Sequence, residues 1–246
     1  MNTNDVINKN NKTIFSFICC IYNEINFAPA ELNKLIKIIK KNNLEKKSEI
    51  LLIDNNSNDG SREWLDSLSN NLVRKKLNKI NIGKGGSIKI GIKESRGLIG
   101  IIYDLDGEYK AEDAIKGCKI LKKTNSTICL SSRILNQKPN HIYFINYVGV
   151  IFLTKIINFI YKAKLTDTAT GLKIIDIAFY KKNLPKFNGF NVDFELVCIA
   201  LNKRKLITEY SGNYMPRTVQ EGKKIKAFKD GILSLFTIIF TFFSRQ

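Results

Sequence analysis

Three acidic residues follow a hydrophobic segment near the middle of the chain. Asp104, Asp106 and Glu108 occur in YDLDGEY, directly after the apolar run GLIGII. In an extended chain alternate side chains point the same way, so carboxylates two residues apart can converge where a strand ends. Such carboxylates repel one another unless a cation lies between them, and Mg²⁺ or Mn²⁺ prefers carboxylates together with phosphate oxygens. A D-x-D triplet also occurs in solvated turns, but the apolar run favours a metal site formed by all three acids.

Two further polar turns follow apolar segments. Asp54 in LLIDNNSNDGS ends a predicted strand and could bind a nucleotide base or ribose, although such a turn can also simply cap a helix. NIGKGGSIKIG places Lys84 among three glycines before a predicted helix, whose N-terminus would suit a phosphate. This turn matches neither the phosphate-loop pattern GxxxxGK[ST] nor the dinucleotide-binding pattern GxGxxG. The sequence therefore gives those two classes little support.

The elements that position these residues alternate in type through the first half of the chain. Apolar runs predict buried strands, and segments with apolar residues at helical spacing predict the helices between them. Strands are expected within 13–22, 48–61, 73–80, 97–109 and 126–133. This order predicts an α/β fold with a mostly parallel central sheet and helices on both faces. Ligands bind such sheets at the carboxyl ends of the strands, where the polar turns lie.

Composition limits the partners without selecting one. The 246 residues carry a formal net charge of +18, which favours nucleic acid, a phospholipid surface or phosphorylated substrates. The alternative is a compositional bias towards Lys, Asn and Ile. None of the five cysteines forms a C-x-x-C pair, which argues against structural zinc and a disulfide framework and favours a reducing compartment. No apolar run precedes Ile14, so no cleavable signal peptide is expected.

Two apolar segments in the second half are interrupted by polar residues. The first covers 141–164 and the second 226–246, after a group of lysines. Neither offers about 20 uninterrupted apolar residues, the length needed to span a bilayer. We expect both to form helices that lie in the membrane interface, with lysines near anionic headgroups. The alternative is that both are core helices.

The order of the motifs resembles that of the inverting family 2 glycosyltransferases. The similarity is greatest to the branch of dolichol-phosphate mannose synthase and of bacterial enzymes that glycosylate polyprenyl phosphates. It covers roughly residues 14–232 and rests on eight motifs in the same order: CIYNE, LIDNNSNDGS, NIGKGGSIKIGI, YDLDGEY, SSR, DTATGLKI, NVDFELV and YMPRTVQEGKKI. The resemblance implies a GT-A fold, a nucleotide-diphosphate sugar donor such as a UDP- or GDP-sugar, and a divalent metal.

The resemblance also implies roles for individual residues. A nucleoside pocket would be formed by Tyr22, Asn23, Glu24, Asp54 and Lys84. Asp104 and Asp106 would hold the metal on the donor diphosphate, whereas Glu108 stands where the mannose synthases commonly have glutamine. Further matches place Arg133 at the acceptor phosphate, Asp167, Gly171 and Lys173 near the reaction centre, and Arg217 and Lys224 over the donor phosphates.

The acceptor stays open at this stage. A lipid phosphate is already ionised and needs no strong base, whereas a sugar hydroxyl needs a carboxylate to take its proton. Asp193 or Glu195 could serve as that base, or could simply cap a helix. After Arg133 the mannose synthases carry further arginines, but this chain offers only Lys138 and His141. The acceptor is therefore either a polyprenyl phosphate or a growing surface glycan.

These observations predict a metal-dependent glycosyltransferase attached peripherally to the inner face of the cytoplasmic membrane. We expect a flexible N-terminus at 1–12, a catalytic domain at 13–225 with a membrane-facing segment at 140–164, and an interface helix at 226–246. A homo-oligomer or a membrane-protein partner is possible, and nucleic acid is not expected. One alternative is a sugar-phosphate nucleotidyltransferase, although that class usually has a glycine-rich loop after its first strand, where this chain has YNE. The other is a non-enzymatic basic module for nucleic acid or anionic lipid, which would not need the three acids.

Overall fold

The computed structural model describes residues 13–135, 144–218 and 227–244. The predicted flexible N-terminus, Lys138, His141 and Lys224 lie outside these residues. Seven strands are described: β1 (Phe15–Ile21), β2 (Ser48–Asp54), β3 (Val73–Leu77), β4 (Ile99–Ile102), β5 (Ile128–Ser132), β6 (Lys173–Asp176) and β7 (Ile207–Ser211). Eight α-helices accompany them: α1 (Ala28–Lys41), α2 (Ser61–Ser67), α3 (Gly83–Glu94), α4 (Ala111–Thr124), α5 (Phe144–Tyr161), α6 (Ile177–Lys182), α7 (Val192–Asn202) and α8 (Ala227–Phe243).

All seven strands form one sheet in the order β3-β2-β1-β4-β6-β5-β7. Every pairing is parallel except those of β6, which runs antiparallel to both β4 and β5. The prediction of an α/β fold with a mostly parallel sheet is confirmed, whereas the reversed strand was not predicted. Because β6 is reversed, its first residue lies at the same edge of the sheet as the last residues of β1, β2, β4 and β5. This edge collects most of the residues considered below.

Alternation along the central strands divides the core between the two faces of the sheet. Phe17 and Cys19 of β1 join the core cluster that includes α1 and α4, whereas Ile18 joins the cluster beneath α3 and α7. Helix α3 lies very close to the sheet because it has a glycine at the contact. A Cβ atom added to Gly91 would lie 2.2 Å from Cγ2 of Ile18.

Helices α5 and α8 pack against α7 and against each other, and they keep much of their apolar surface exposed. Leu153 and Ile157 of α5 form a small core cluster together with Ile238 of α8 and two residues of α7. The large apolar side chains that remain exposed on the two helices are Phe144, Ile145, Val148, Phe152, Phe159, Phe228, Ile232, Leu233, Phe236, Ile239, Phe240 and Phe243. The structure therefore does not support the alternative that α5 and α8 are core helices.

Helix α5 is more continuous than the sequence analysis expected. Its 18 residues make it, among the described residues, the one helix long and apolar enough to cross a membrane. One side is nevertheless tied to the domain. Thr154 hydrogen-bonds Thr168 across 2.9 Å, and Asn158 hydrogen-bonds the backbone of Leu165 in both directions. These contacts favour a helix that lies against the domain.

Candidate active site

Asp104 and Asp106 lie in the turn that follows β4 at the carboxyl edge of the sheet. Only 9% of Asp106 is exposed, and its carboxylate accepts a hydrogen bond from the backbone N–H of Glu108. The guanidinium of Arg217 bridges two acids, with 3.0 Å to Asp106 and 2.7 Å to Glu24. Three residues from distant parts of the sequence therefore meet at one point.

Burial and two neighbouring carboxylates disfavour the charged form of Asp106. Burial, and then the charges of Asp104 and Glu108, raise the pKa of Asp106 to about 7, although Arg217 opposes the shift. A cation bound beside this carboxylate would offset both the burial and the repulsion. The hard oxygen donors and the excess negative charge fit a divalent ion such as Mg²⁺ or Mn²⁺.

The structure corrects the predicted set of metal ligands. Glu108 accepts hydrogen bonds from the hydroxyl of Tyr214, at 3.2 Å, and from the backbone N–H of Arg217, at 3.1 Å. Within the residues that the structure describes, no three His, Cys, Asp or Glu side chains are placed to hold one ion. A metal here would bind Asp104 and Asp106 and complete its shell with ligand or water oxygens, as Mg²⁺ commonly does.

The ammonium of Lys84 lies between Asp104, one of the two candidate metal ligands, and Asp193 of α7. It lies 2.9 Å from Asp104 and 3.3 Å from Asp193, and Asp193 lies 2.7 Å from the fully buried ammonium of Lys173. Burial alone would lower the pKa of Lys84, but the two aspartates raise it well above its usual value. The pKa of Lys173 is lowered by its burial in spite of Asp193. Both oxygens of Asp193 are therefore held by lysines.

The glycine turn that carries Lys84 is held by the loop before α7. The backbone N–H of Gly85 donates to the carbonyl of Asn188 across 2.7 Å. The carboxylate of Glu195 accepts the backbone N–H groups of Lys186 and Phe187, at 2.6 and 3.0 Å, and so fixes that loop. Glu195 was a candidate catalytic base, but the structure places it behind the turn as a support.

Gly85→Ala should disturb the site through this contact. The added methyl group would lie 2.3 Å from the carbonyl oxygen of Phe187, so the turn and the loop must separate. We expect a loss of about 1–3 kcal/mol in the free energy of unfolding, measured by urea denaturation, together with weaker donor binding. Gly149→Ala is the matched control, because nothing lies within 4 Å of its added methyl group. Equal free energies of unfolding for the two variants would show that a methyl group at position 85 does not meet the carbonyl oxygen of Phe187.

Arg133 and Asp167 form a second ion pair at the same edge. Two guanidinium nitrogens of Arg133 donate to the two carboxylate oxygens at 2.7 and 2.8 Å, and the backbone N–H of Arg133 donates as well. Asp167 has no exposed surface. Burial would raise its pKa, but Arg133 holds it below the usual value. Arg133 also lies over the ring of Tyr214, 5.2 Å from its centroid.

Residues near Asp167 complete this side of the cleft. The hydroxyl of Tyr109 accepts the backbone N–H of Gly171 and pairs with Thr170. A Cβ atom on Gly171 would lie 3.3 Å from the carboxylate of Asp104, so the segment carrying Asp167 and Lys173 adjoins the metal-site acids. Sequence reasoning missed Tyr109 and Tyr214. The only available signal was their position inside the motifs YDLDGEY and YMPRTVQEGKKI.

The residues expected to form a nucleoside pocket fall into two groups. Asn23 and Glu24 follow β1 and contact the turn after β2: the side chain of Asn23 donates to Asn58, and the backbone N–H of Glu24 donates to Ser61. Tyr22 is half-buried beside them. Asp54 is fully buried.

Asp54 instead stabilises the turn after β2. It has no exposed surface, lies 2.6 Å from Arg62 and accepts the backbone N–H of Ser57. The role of Asp54 in a nucleoside pocket, which the resemblance implies, stays a prediction. Arg62, which also donates to the carbonyl of Asn78, was not predicted from the sequence.

Comparison with known proteins identifies a family. The model of the family "Glycosyl transferase family 2" matches residues 16–207. A dolichyl-phosphate beta-glucosyltransferase of Trichomonas vaginalis is 25% identical, over 87% of this chain and 71% of that protein. The corresponding Saccharomyces cerevisiae protein is 25% identical, over 65% of this chain and 55% of its own length.

A solved structure shows the same fold. Glucosyl-3-phosphoglycerate synthase from Mycobacterium tuberculosis, crystallised with Mn²⁺, UDP-glucose and phosphoglyceric acid, aligns with a TM-score of 0.69 at 12% identity. The alignment covers 94% of this chain and 80% of that one. With a family model that matches most of its length and a sheet edge that gathers acids, lysines and arginines, this chain belongs to glycosyl transferase family 2 and is a glycosyltransferase.

Proposed function

We propose that the protein transfers a hexosyl group, with glucose as the first candidate, from a UDP-sugar to the phosphate of a polyprenyl lipid. The observation that carries the proposal is the pair of carboxylates Asp104 and Asp106 at the carboxyl edge of the sheet, with Lys84 and Arg217 beside them. The names of the relatives support the lipid acceptor, and the ligands of the solved neighbour support UDP and a divalent metal. Family membership favours this function over a nucleotidyltransferase or a non-enzymatic basic module.

Asp104 and Asp106 would hold the metal. When bound, the metal neutralises the negative charge that develops on the leaving diphosphate. Arg217 lies beside the same carboxylate and can add a second positive charge, which would stabilise the transition state more than the ground state. Lys84, in the first turn of α3, lies on the other side of Asp104. The roles of Lys84 in the nucleoside pocket and of Arg217 at the donor phosphates stay predictions.

The contacts of the candidate bases favour a phosphate acceptor over a sugar hydroxyl. Both oxygens of Asp193 are held by lysines, and both oxygens of Glu195 accept backbone N–H groups. Neither carboxylate is therefore placed to take a proton. An ionised lipid phosphate needs no base: its oxygen bonds to the anomeric carbon as the bond from that carbon to the diphosphate oxygen breaks, with inversion.

Arg133 remains the candidate contact for the acceptor phosphate. Its pairing with Asp167 fixes the guanidinium, and 21% of the side chain stays exposed at the edge of the cleft. A fixed, partly exposed guanidinium can bind a phosphate oxygen with little loss of side-chain freedom. Asp167 would then act as the residue that positions Arg133.

Transfer of labelled glucose tests the function directly. Purified protein is incubated with Mn²⁺, radiolabelled UDP-glucose and either a polyprenyl phosphate or the unphosphorylated polyprenol. We expect label in the organic phase only with the phosphate, and its loss when EDTA is added. GDP-mannose, tested in parallel, identifies the donor base and sugar. Transfer to the polyprenol, or to a glycan but not to the phosphate, would contradict the proposed acceptor.

We further propose that the protein works on the cytoplasmic side of a membrane, with the apolar surfaces of α5 and α8 in the lipid interface. A group of exposed apolar side chains as large as the one on α5 and α8 commonly marks an interaction surface. Contact of α5 and α8 with the lipid would place the carboxyl edge of the sheet near an acceptor whose apolar chain stays in the bilayer. All five cysteines are free thiols, which supports a reducing compartment.

Two phenylalanine substitutions test the membrane contact. Phe159 and Phe243 are 87% and 79% exposed, and replacing both with serine should weaken binding to phospholipid vesicles by at least about tenfold, since a buried Phe side chain contributes about 1.5–3 kcal/mol. Ile80→Ser with Leu206→Ser is the matched control, because both are exposed apolar residues outside α5 and α8. Co-sedimentation measures both pairs. Equal losses would show that these helices are not the membrane contact.

A further inference from the structure

A cavity shares Glu195 and Lys186 with the support of the glycine turn and extends from there along α7, away from Asp193. It has a volume of about 930 Å³, is open on one side, and is lined by the C-terminal ends of α5, α7 and α8 and by the loop that follows α6. Asp193 lies in the first turn of α7, whereas the cavity reaches Asn202 at the end of the same helix. At 1.5 Å per residue these two positions are about 13 Å apart. Nothing in the proposed transfer reaction uses this cavity.

The charge around the cavity is strongly positive. Five basic residues line it: Lys162, Lys182, Lys186, Lys203 and Arg204. Glu195 is the one acid among its lining residues in the described part of the chain. The carboxylate of Glu195 is engaged by the backbone N–H groups of Lys186 and Phe187. Like charges grouped around a concave surface raise the local concentration of anions. The chemistry of the wall therefore fits a phosphate group.

The same cavity also has an apolar side. Leu184, Ile199 and Phe240 line it together with the basic residues. Phe240 is 38% exposed on α8, among the apolar residues of the proposed membrane surface. The ammonium of Lys186 lies 5.1 Å from the centroid of the Phe240 ring. The cavity thus joins a cationic wall to the apolar face of α8 at a single side chain.

We propose that this cavity binds the phosphate headgroup of an anionic membrane phospholipid. A soluble phosphate compound would pair with the basic residues but leave the adjoining apolar surface uncovered. A phospholipid satisfies both parts, because its headgroup meets the lysines while its acyl chains cover Phe240 and its neighbours on α8. The site holds the protein on the membrane and is separate from the site that binds the transferred sugar and its acceptor.

Charge reversal inside the cavity tests the proposal without any donor or acceptor. Lys182→Glu with Arg204→Glu is compared with Lys76→Glu with Lys79→Glu, two exposed lysines at the β3 end of the sheet, so both variants carry the same net charge. We expect the cavity variant to bind phosphatidylglycerol vesicles at least about tenfold more weakly than wild type, and the control variant to lose about threefold or less. Binding to phosphatidylcholine vesicles should be weak and equal for all three proteins. Circular dichroism and thermal unfolding show whether each variant is folded.

Three outcomes would overturn the proposal. Equal losses for the cavity and control variants would mean that net charge alone attracts the protein to the membrane. Stabilisation of wild type, but not of the cavity variant, by inorganic phosphate, without any difference between them on vesicles, would mean that the site takes a soluble phosphate. Should the cavity variant prove unfolded, Lys182→Gln with Arg204→Gln replaces it, and unchanged vesicle binding by that neutral pair would also contradict the proposal.

Discussion

Asp106→Asn abolishes cation-dependent donor binding and lowers sugar transfer by about 10³-fold or more, the scale expected when a group that stabilises leaving-group charge is lost. Asp106 is the buried carboxylate at which Asp104, Glu108 and Arg217 meet, and its raised pKa reflects a need for a further positive charge. Asparagine keeps the shape of the side chain but removes the charge that holds the metal. Calorimetric titration of UDP in the presence and absence of Mn²⁺ measures the loss.

The control for this variant is Asp66→Asn, which removes one carboxylate from the exposed side of α2. It should bind UDP and Mn²⁺ as wild type does. The Asp106 variant should also stay folded, because the charge that it loses is one that burial disfavours. Undiminished Mn²⁺-dependent binding of UDP by Asp106→Asn would show that this carboxylate does not hold the metal.

Arg133→Met destabilises the fold by about 3–5 kcal/mol, because it leaves the fully buried carboxylate of Asp167 without its partner. Urea denaturation measures the change. The deficit should narrow as the pH falls from about 7 towards about 4, since protonation of Asp167 removes the unpaired charge. In wild type the sign is opposite: Arg133 keeps the pKa of Asp167 low, so the stability that the pair contributes is lost as the pH falls.

The double variant Arg133→Met with Asp167→Asn separates pairing from packing. It should recover much of the lost stability, because no charge is left buried, and yet stay inactive if Arg133 contacts the acceptor phosphate. A loss below about 1 kcal/mol for Arg133→Met alone would mean that solvent reaches Asp167. Full activity of the double variant would remove Arg133 from the acceptor site.

The first half of the chain was predictable because β1, β2 and β4 are buried on both faces and end in polar turns. The runs before Asp54 and Asp104 are continuous and apolar, and parallel strands place their carboxyl ends at one edge. Strand β6 was missed, since its four residues carry no pattern that separates a strand from a loop. That reversed strand brings Lys173 to the active edge, which the resemblance implied but the local sequence could not.

The individual roles were less predictable than the position of the site. The spacing of Asp104, Asp106 and Glu108 predicts convergence only if the chain stays extended, but β4 ends at Ile102 and Gly107 has a φ of +79°. Glu108 therefore turns towards Tyr214, which is more than 100 residues away along the chain. The partners of Asp54 and Glu195 could not be predicted for a similar reason: Arg62 and the loop before α7 engage them through contacts that the local sequence does not indicate.

The most direct test of the account is a crystal structure of the protein with UDP and Mn²⁺, with data collected to locate manganese by its anomalous scattering. We predict a peak about 2.2 Å from a carboxylate oxygen of Asp106 and in contact with the diphosphate, with Arg217 moved from that carboxylate towards the phosphates. UDP bound in the cleft without manganese at Asp106, and with Arg217 still bridging Asp106 and Glu24, would contradict the account.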